Sequence, residues 1–324
     1  MARSDLILNL VKAGSRGDHL LFRKAVEAMI VEERAKQHHL LAKKLDEELH
    51  SNSNLNSNGP VVLGDKLANL LLDVTPHLTL DDLILPPSVE TTCHEIIEEH
   101  NRADLLRSYN LEPRNRILLQ GPPGNGKTSL AEALASALMA TFLVIRYEGV
   151  IGTYLGETAV RLKRVFEFAS TRRCVLFFDE FDTLGKERGD VHDTGEIKRV
   201  VSSLLLQIDA LPSHVIVITA TNHAELLDRA VWRRFQVHMT LPKPGREEVL
   251  AWLSRFEERF GQSLGLSSHM LADKLKGASY ADIEILADAI QRRYVLSLPD
   301  AKPETVVRNC LEQWQTRRLA PNGD

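Results

Sequence analysis

Four groups of residues in this 324-residue chain have the types and spacing to do chemistry. The first is GPPGNGKT at 121–128, which fits G-x-x-x-x-G-K-[ST]. Glycines at 121, 124 and 126 let a backbone curl until its N–H groups face the β- and γ-phosphates of a nucleotide, and a helix N-terminus behind the loop adds partial positive charge. Lys127 reaches the phosphates and the Thr128 hydroxyl can bind Mg²⁺. Pro122, Pro123, Asn125 and Ser129 complete the candidate loop. The second group ends CVLFFDEFD at 174–182: an apolar run delivers Asp179, suited to hold Mg²⁺ through its water shell, and Glu180, suited to polarise an attacking water. The third is ITATN at 218–222, where the Asn222 amide could orient that water opposite Glu180. The fourth is LLDRAVWRRFQ at 226–236, whose paired Arg233 and Arg234 suggest fingers that stabilise charge on a transferring phosphoryl group. A glycine-rich turn, an acidic turn, a strand-end asparagine and solvated arginines are the bland readings. The strand–loop–helix setting and the order along the chain argue against them.

Those groups need a scaffold. The runs 116–120 (RILLQ), 142–146 (FLVIR), 174–178 (CVLFF) and 215–219 (VIVIT) read as buried strands, with helix-like segments between them, including 129–139. This predicts an α/β fold, a parallel sheet with helices on both faces. Strands that end in Asp-Glu and Asn place those side chains at the carboxyl edge, where ligands bind in such sheets. Pro242 and Pro244 close the unit, so 61–242 is expected to be the large domain and 243–324 a smaller all-helical lid. Before it, SNSNLNSNGP at 51–60 reads as a flexible linker. Residues 1–50 read as helical from the spacing of Phe22, Val26, Met29 and Ile30 and of Leu41, Leu45 and Leu49. They form either a packing hairpin or a partner-recruiting module.

Composition excludes several classes. Hydrophobic residues are 44% of the chain, ordinary for a protein with a core, and the net charge of −4 does not draw the chain to nucleic acid or anionic membranes. Three dispersed cysteines, Cys93, Cys174 and Cys310, suggest neither a disulfide framework nor a zinc site. No signal peptide or apolar run of membrane-spanning length is read, so a cytoplasmic location is expected. His94–Glu98 departs from H-E-x-x-H because Glu98 stands where the second histidine belongs, and no G-x-S-x-G occurs.

Together these residues resemble the AAA clade of the AAA+ superfamily, relatives of katanin, spastin and the proteasomal ATPases, in the form of a small single-ring bacterial-type member. The resemblance covers roughly residues 75–300. TLDDLILPP at 79–87 resembles the segment that opens the module and lines the adenine pocket; 116–131 resembles the Walker A region, Asp179-Glu180 Walker B, and Asn222 sensor 1. LLDRAVWRRF resembles the second region of homology, where two arginines act on a neighbouring subunit's nucleotide; many members have two residues between them, and this chain has none. Either Arg233 or Arg234 is then the finger, with Arg229 a third candidate. GASYADIEIL at 277–286 resembles the lid motif but has Tyr280-Ala281-Asp282 where other clades carry a sensor-2 arginine. GTYLGET at 152–158 resembles pore loop 1, with Tyr154 and Leu155 facing a central channel, and the polar stretch 186–194 a second channel loop. The resemblance implies ATP and Mg²⁺ as cofactors, a self-assembled hexameric ring, and a protein substrate that is threaded through it or docked on it.

Four functions compete at this point: a protein-remodelling motor; the regulatory ATPase of a separate protease or adaptor system; a DNA-associated ATPase; and a nucleotide-switched scaffold. Arg161, Lys163, Arg164, Arg172 and Arg173 form the basic cluster that a DNA reading would need, but a solvated helix face fits them better. Intact Asp179, Glu180 and Asn222 argue against the scaffold.

Overall fold

The computed structural model describes residues 67, 69–146, 155–184 and 194–319. The expected helical region 1–50, the linker 51–60, Tyr154 and all of the second channel loop but Thr194 lie outside the described residues.

Six strands form one sheet in the order β1-β3-β4-β5-β2-β6. They are β1 (Leu71–Val74), β2 (Arg116–Gln120), β3 (Thr141–Ile145), β4 (Cys174–Phe178), β5 (Val215–Thr221) and β6 (Val237–Thr240). Every residue of β4 and β5 is buried, as strands covered on both faces require. Five strands are parallel, and β1 joins the free edge of β3 antiparallel, pairing Leu71 with Ile145 and Val74 with Phe142.

The strand period of two sorts side chains between two cores. On one face Leu118, Leu176, Phe178 and Val217 pack against Leu162, Val165 and Phe166 of α4 (Leu155–Ser170) and Leu204, Leu205 and Ile208 of α5 (Thr194–Ala210). On the other, Ile117, Leu119, Phe177 and Ile218 pack against α1 (Pro87–Asn101) and α3 (Lys127–Ala137). Helix α2 (Ala103–Ser108) links α1 towards β2, and α6 (Arg229–Trp232) is a single turn before β6. Asn115, buried at the start of β2, donates from Nδ2 to the Val215 carbonyl at 2.9 Å, which ties the entrances of β2 and β5 together.

Four helices follow: α7 (Arg246–Phe260), α8 (Ser268–Lys274), α9 (Tyr280–Leu296) and α10 (Pro303–Leu319). Their third core includes Leu253, Phe256, Leu271, Ile283, Ile290 and Leu311. Ser279 and Asp282 form a capping box that fixes the start of α9, with Asp282 N donating to Ser279 Oγ at 3.2 Å and Ser279 N to Asp282 Oδ2 at 2.9 Å. The helical part touches the sheet part at defined points. Ala281 N donates to Gly124 O at 3.0 Å, the Tyr280 hydroxyl to Ile84 O at 3.2 Å, and Arg255 Nη1 to Asp82 O at 3.0 Å. The cysteines are free and buried, and burial pushes the Cys93 and Cys174 thiols up to about 12, so neither is a ready nucleophile.

Phe177 and Phe178 are neighbours in sequence but fill different cores. Phe177→Ala and Phe178→Ala should each cost about 3–5 kcal/mol. Urea unfolding of each variant against the parent checks this; a loss from only one would mean that one face of the sheet is not a packed core.

Candidate active site

The loop leaving β2 is shaped by positive φ at Gly121 (147°), Gly124 (74°) and Gly126 (80°). Two of the three also stand where a side chain has no room. A Cβ on Gly121 would lie 2.1 Å from Leu241 O, and one on Gly124 would lie 2.9 Å from Ala281 Cβ. Around Gly126 the space is open, so the left-handed backbone alone selects glycine there. Gly126 is the N-cap of α3, which therefore begins at Lys127, two residues before the stretch expected from periodicity. The helix N-terminus thus points into the loop that the glycines curl.

Lys127 is buried, and its ammonium spends all three protons locally. It donates to Gly121 O at 2.7 Å, Pro122 O at 3.0 Å and Asn222 Oδ1 at 2.7 Å. Burial holds its pKa below the usual lysine value, while Asp179 and Asp182 pull it back up. Thr128 Oγ1 donates to Asp179 Oδ2 at 3.0 Å, and Asp179 Oδ1 accepts from Glu180 N at 2.9 Å. Glu180 has φ of 46°, a left-handed conformation that costs an ordinary residue about 1–2 kcal/mol. Strain of this kind gathers at functional sites.

Asn222 follows the last residue of β5, and its position depends on a group to which sequence reasoning gave no role. Asp182, buried, accepts from Thr221 Oγ1 at 3.0 Å and from Asn222 N at 3.4 Å. The second Asp of FDEFD was its only signal. Asn125, also buried, holds the loop's turn by donating from Nδ2 to Pro122 O at 3.1 Å. The structure therefore brings together Lys127, Thr128, Asp179 and Asn222, with Glu180 beside Asp179. Ser129 is half-buried in the first turn of α3, and the Leu155 backbone opens α4.

The residues fit a magnesium nucleotide. Thr128 and Asp179 lie within hydrogen-bond distance of each other, so one hydroxyl and one carboxylate can face a common cation, the sparse oxygen set that magnesium takes when phosphates and water complete its shell. Bound there, the ion would neutralise phosphate charge.

Arg233 and Arg234 are not part of this cluster. They precede β6, which pairs parallel with β2 as Ile117↔Val237 through Gln120↔Thr240. They therefore lie at the entrance of β2, beside Arg116, while the phosphate loop leaves its exit. At about 3.3 Å per residue the strand separates them by about 15 Å, farther than an arginine side chain reaches. Arg234 donates from Nε to Asp209 Oδ2 at 2.9 Å and from Nη1 to Ala230 O at 3.1 Å. Arg233 and Arg229 are exposed and pair with none of the described residues through their side chains.

The family described as ATPase family associated with various cellular activities (AAA) matches residues 117–243. An uncharacterized AAA family ATPase of Sinorhizobium fredii is 33% identical over 305 residues, covering 90% of this chain and 91% of that one. A 26S proteasome regulatory subunit homolog of Methanothermobacter marburgensis is 30% identical over 259 residues, 78% of this chain and 69% of that one. A cell division cycle protein 48 homolog of Archaeoglobus fulgidus is 36% identical over 188 residues, 56% of this chain but 25% of that longer one. With its α/β sheet, helical C-terminal part and phosphate loop, the chain belongs to the AAA family, and it is an ATP hydrolase of that family.

Gly126→Ala should pay the left-handed penalty alone, about 1–2 kcal/mol, whereas Gly121→Ala adds a backbone clash and should cost more. Thermal unfolding ranks the two; equal losses would mean that Leu241 O does not confine Gly121.

Proposed function

We propose that this ATPase works as a ring of identical subunits, a hexamer on the family resemblance, and spends ATP to remodel or thread a protein substrate. The observation that carries the ring is the separation just described. Lys127, Thr128, Asp179, Glu180 and Asn222 stand at the exit of the strands, and both candidate finger arginines stand at the entrance. A subunit cannot complete its own charge stabilisation, so a neighbour supplies the guanidinium.

In this reading Lys127 binds the phosphates. Asp179 and Thr128 hold magnesium. Glu180 takes up the proton of the attacking water, and Asn222 orients that water against it. Asp182 keeps Asn222 in place. Ala281, Tyr280 and Arg255 hold the helical lid against the loop and against residues 82–84, so lid movement is felt at the phosphates.

A protein substrate is favoured by Tyr154 in GTYLGET and by relatives named for the proteasome and for cell division cycle protein 48. Residues 1–50 would choose the partner. Service to a separate protease or adaptor is the second reading, favoured by the match to the regulatory subunit homolog across 78% of this chain. Three of the five residues of the basic cluster are engaged within the chain: Arg161 pairs with Glu157 at 3.2 Å, Lys163 with Glu167 at 3.7 Å, and the Arg172 guanidinium lies 3.6 Å from the Phe168 ring centroid. No helix among the described residues is long and apolar enough to cross a membrane, which is compatible with the proposed cytoplasmic setting.

ATP turnover per subunit should rise with protein concentration as rings form. Arg233→Ala should lower it by about 10³-fold at concentrations that assemble the parent. Glu180→Gln should abolish turnover but leave ATP binding intact. Unfolded protein should stimulate the parent and duplex DNA should not. Full activity of Glu180→Gln, or turnover independent of concentration, would overturn the mechanism; stimulation by DNA alone would overturn the substrate class.

A further inference from the structure

The segment that carries the two arginines is fastened to the start of β2 at Arg234, through Asp209, and again at Gln236. Asp209, in the last turn of α5, receives Arg234 Nε on Oδ2 and Arg116 Nη1 on Oδ1. One carboxylate thus stands between two guanidinium groups, and all three side chains are a quarter to a third exposed, at 34%, 31% and 23%. Two residues on, Gln236 Oε1 accepts from Asn115 N at 3.0 Å and Arg116 N at 3.1 Å, and Gln236 N donates to Arg116 O at 3.0 Å. Between them Phe235 is buried edge-on against Phe181, with centroids 6.1 Å apart. Arg234 is therefore held through its guanidinium, by Asp209 and by the Ala230 carbonyl, and the backbone after it is pinned at Phe235 and Gln236, whereas Arg233, one residue earlier, is exposed.

We propose that Asp209 is the positioning residue for the arginine given to the next subunit. It locks Arg234 as a strut between Arg116 and the α6 turn, so that Arg233 alone serves as the finger. This rests on the shared-site reading above. Its physical basis is charge. With Asp209 in place the trio carries one net positive charge, and Arg234 is worth more at home than it would be reaching outwards. Without the carboxylate, Arg116 and Arg234 repel at close range, Arg234 swings away, and the α6 turn loses the contact that aims Arg233. A further consequence is that the anchor reports on the subunit's own nucleotide. Arg116 begins β2, and five residues later the same strand runs into Gly121 of the phosphate loop. One stiff strand then joins the site a subunit uses to the finger it lends.

The test uses full-length chains mixed in equal amounts. A Glu180→Gln subunit cannot hydrolyse ATP but can lend Arg233; an Arg233→Ala subunit lends nothing but can hydrolyse if served. On the shared-site reading each is inactive alone, and the mixture recovers turnover. Asp209→Asn is then added to the lender in one mixture and to the receiver in another, with assembly followed by sedimentation. Asp209→Asn in the lender should cut the recovered turnover at least about tenfold, and in the receiver less than about threefold. Asp209→Glu in the lender should restore most of the loss, and Arg234→Ala added to Asp209→Asn should cost no more than either alone, because both break one strut. Equal losses in lender and receiver would make Asp209 merely structural and overturn the proposal, as would full recovery with Asp209→Asn in the lender. Should the starting pair fail to recover before Asp209 is touched, the shared site itself is wrong and the proposal falls with it.

Discussion

The parallel register of β2, β4 and β5 is the constraint on which the site depends. Gln120 lies opposite Thr221, and Phe178 opposite Thr219, so the residues that follow these strands emerge in one layer. Lys127 and Asn222, 95 residues apart in the chain, meet at 2.7 Å for that reason. A slip of one residue in β5 would send its seven buried side chains to the wrong faces and turn Asn222 away from the lysine. Such a slip is opposed on both sides of the sheet at once, because the two cores draw alternate residues from the same strands. The chemistry is therefore positioned by apolar packing that takes no part in it.

Within that layer the lysine is the group under most electrostatic tension. Burial works against its charge, and Asp179 and Asp182 work for it. Three neutral oxygens satisfy its protons. On the proposed reading an incoming phosphate would exchange neutral acceptors for anionic ones where water screens little, so this lysine would attract an anion more strongly than a surface lysine does. The bond from Lys127 to Asn222 gives that exchange a second reader: whatever draws the ammonium away from Oδ1 also frees the side-chain amide of a residue whose backbone N–H Asp182 holds.

Much of this was legible in the sequence. The strands RILLQ and CVLFF coincide with β2 and β4, because a strand buried on both faces reads as an unbroken apolar run. The sequence singles out Thr128 and Asp179 separately; that they meet at 3.0 Å is seen only in the structure. Two strands were not legible. β6 alternates buried Val237 and Met239 with exposed His238 and Thr240 over four residues, too short a pattern to stand out, and β1 buries only Leu71 fully. β1 is also the antiparallel member, which no local signal encodes; it is set by the free edge of β3. Asp182 and Asp209 were missed for a related reason. Each acts on a partner distant in sequence, Thr221 in one case and Arg116 in the other, and acidic residues near helix ends are common enough to pass unread. The sequence reads the glycines as one class that lets the loop curl, but only the structure separates Gly121, confined by Leu241 O, from Gly126, which needs nothing but its φ.

The placement of site and arginines at opposite ends of the strands also bears on the form of any assembly. A two-fold dimer uses one self-complementary patch, so donor and acceptor would have to share that patch. On the proposed shared site the acceptor would be the carboxyl edge with Lys127 and Asp179, and the donor the entrance edge with Arg233, next to Arg234, which Asp209 holds. Contacts between unlike surfaces are head-to-tail, and they close into a ring or run on as a filament according to the rotation between neighbours. In such a chain of subunits each β2 would stand between the nucleotide its subunit binds and the arginine its subunit lends. Neighbouring sites would then be coupled through the stiffest element of the fold, and the sign of the coupling would depend on whether a filled phosphate loop draws Arg116 towards Asp209 or away from it.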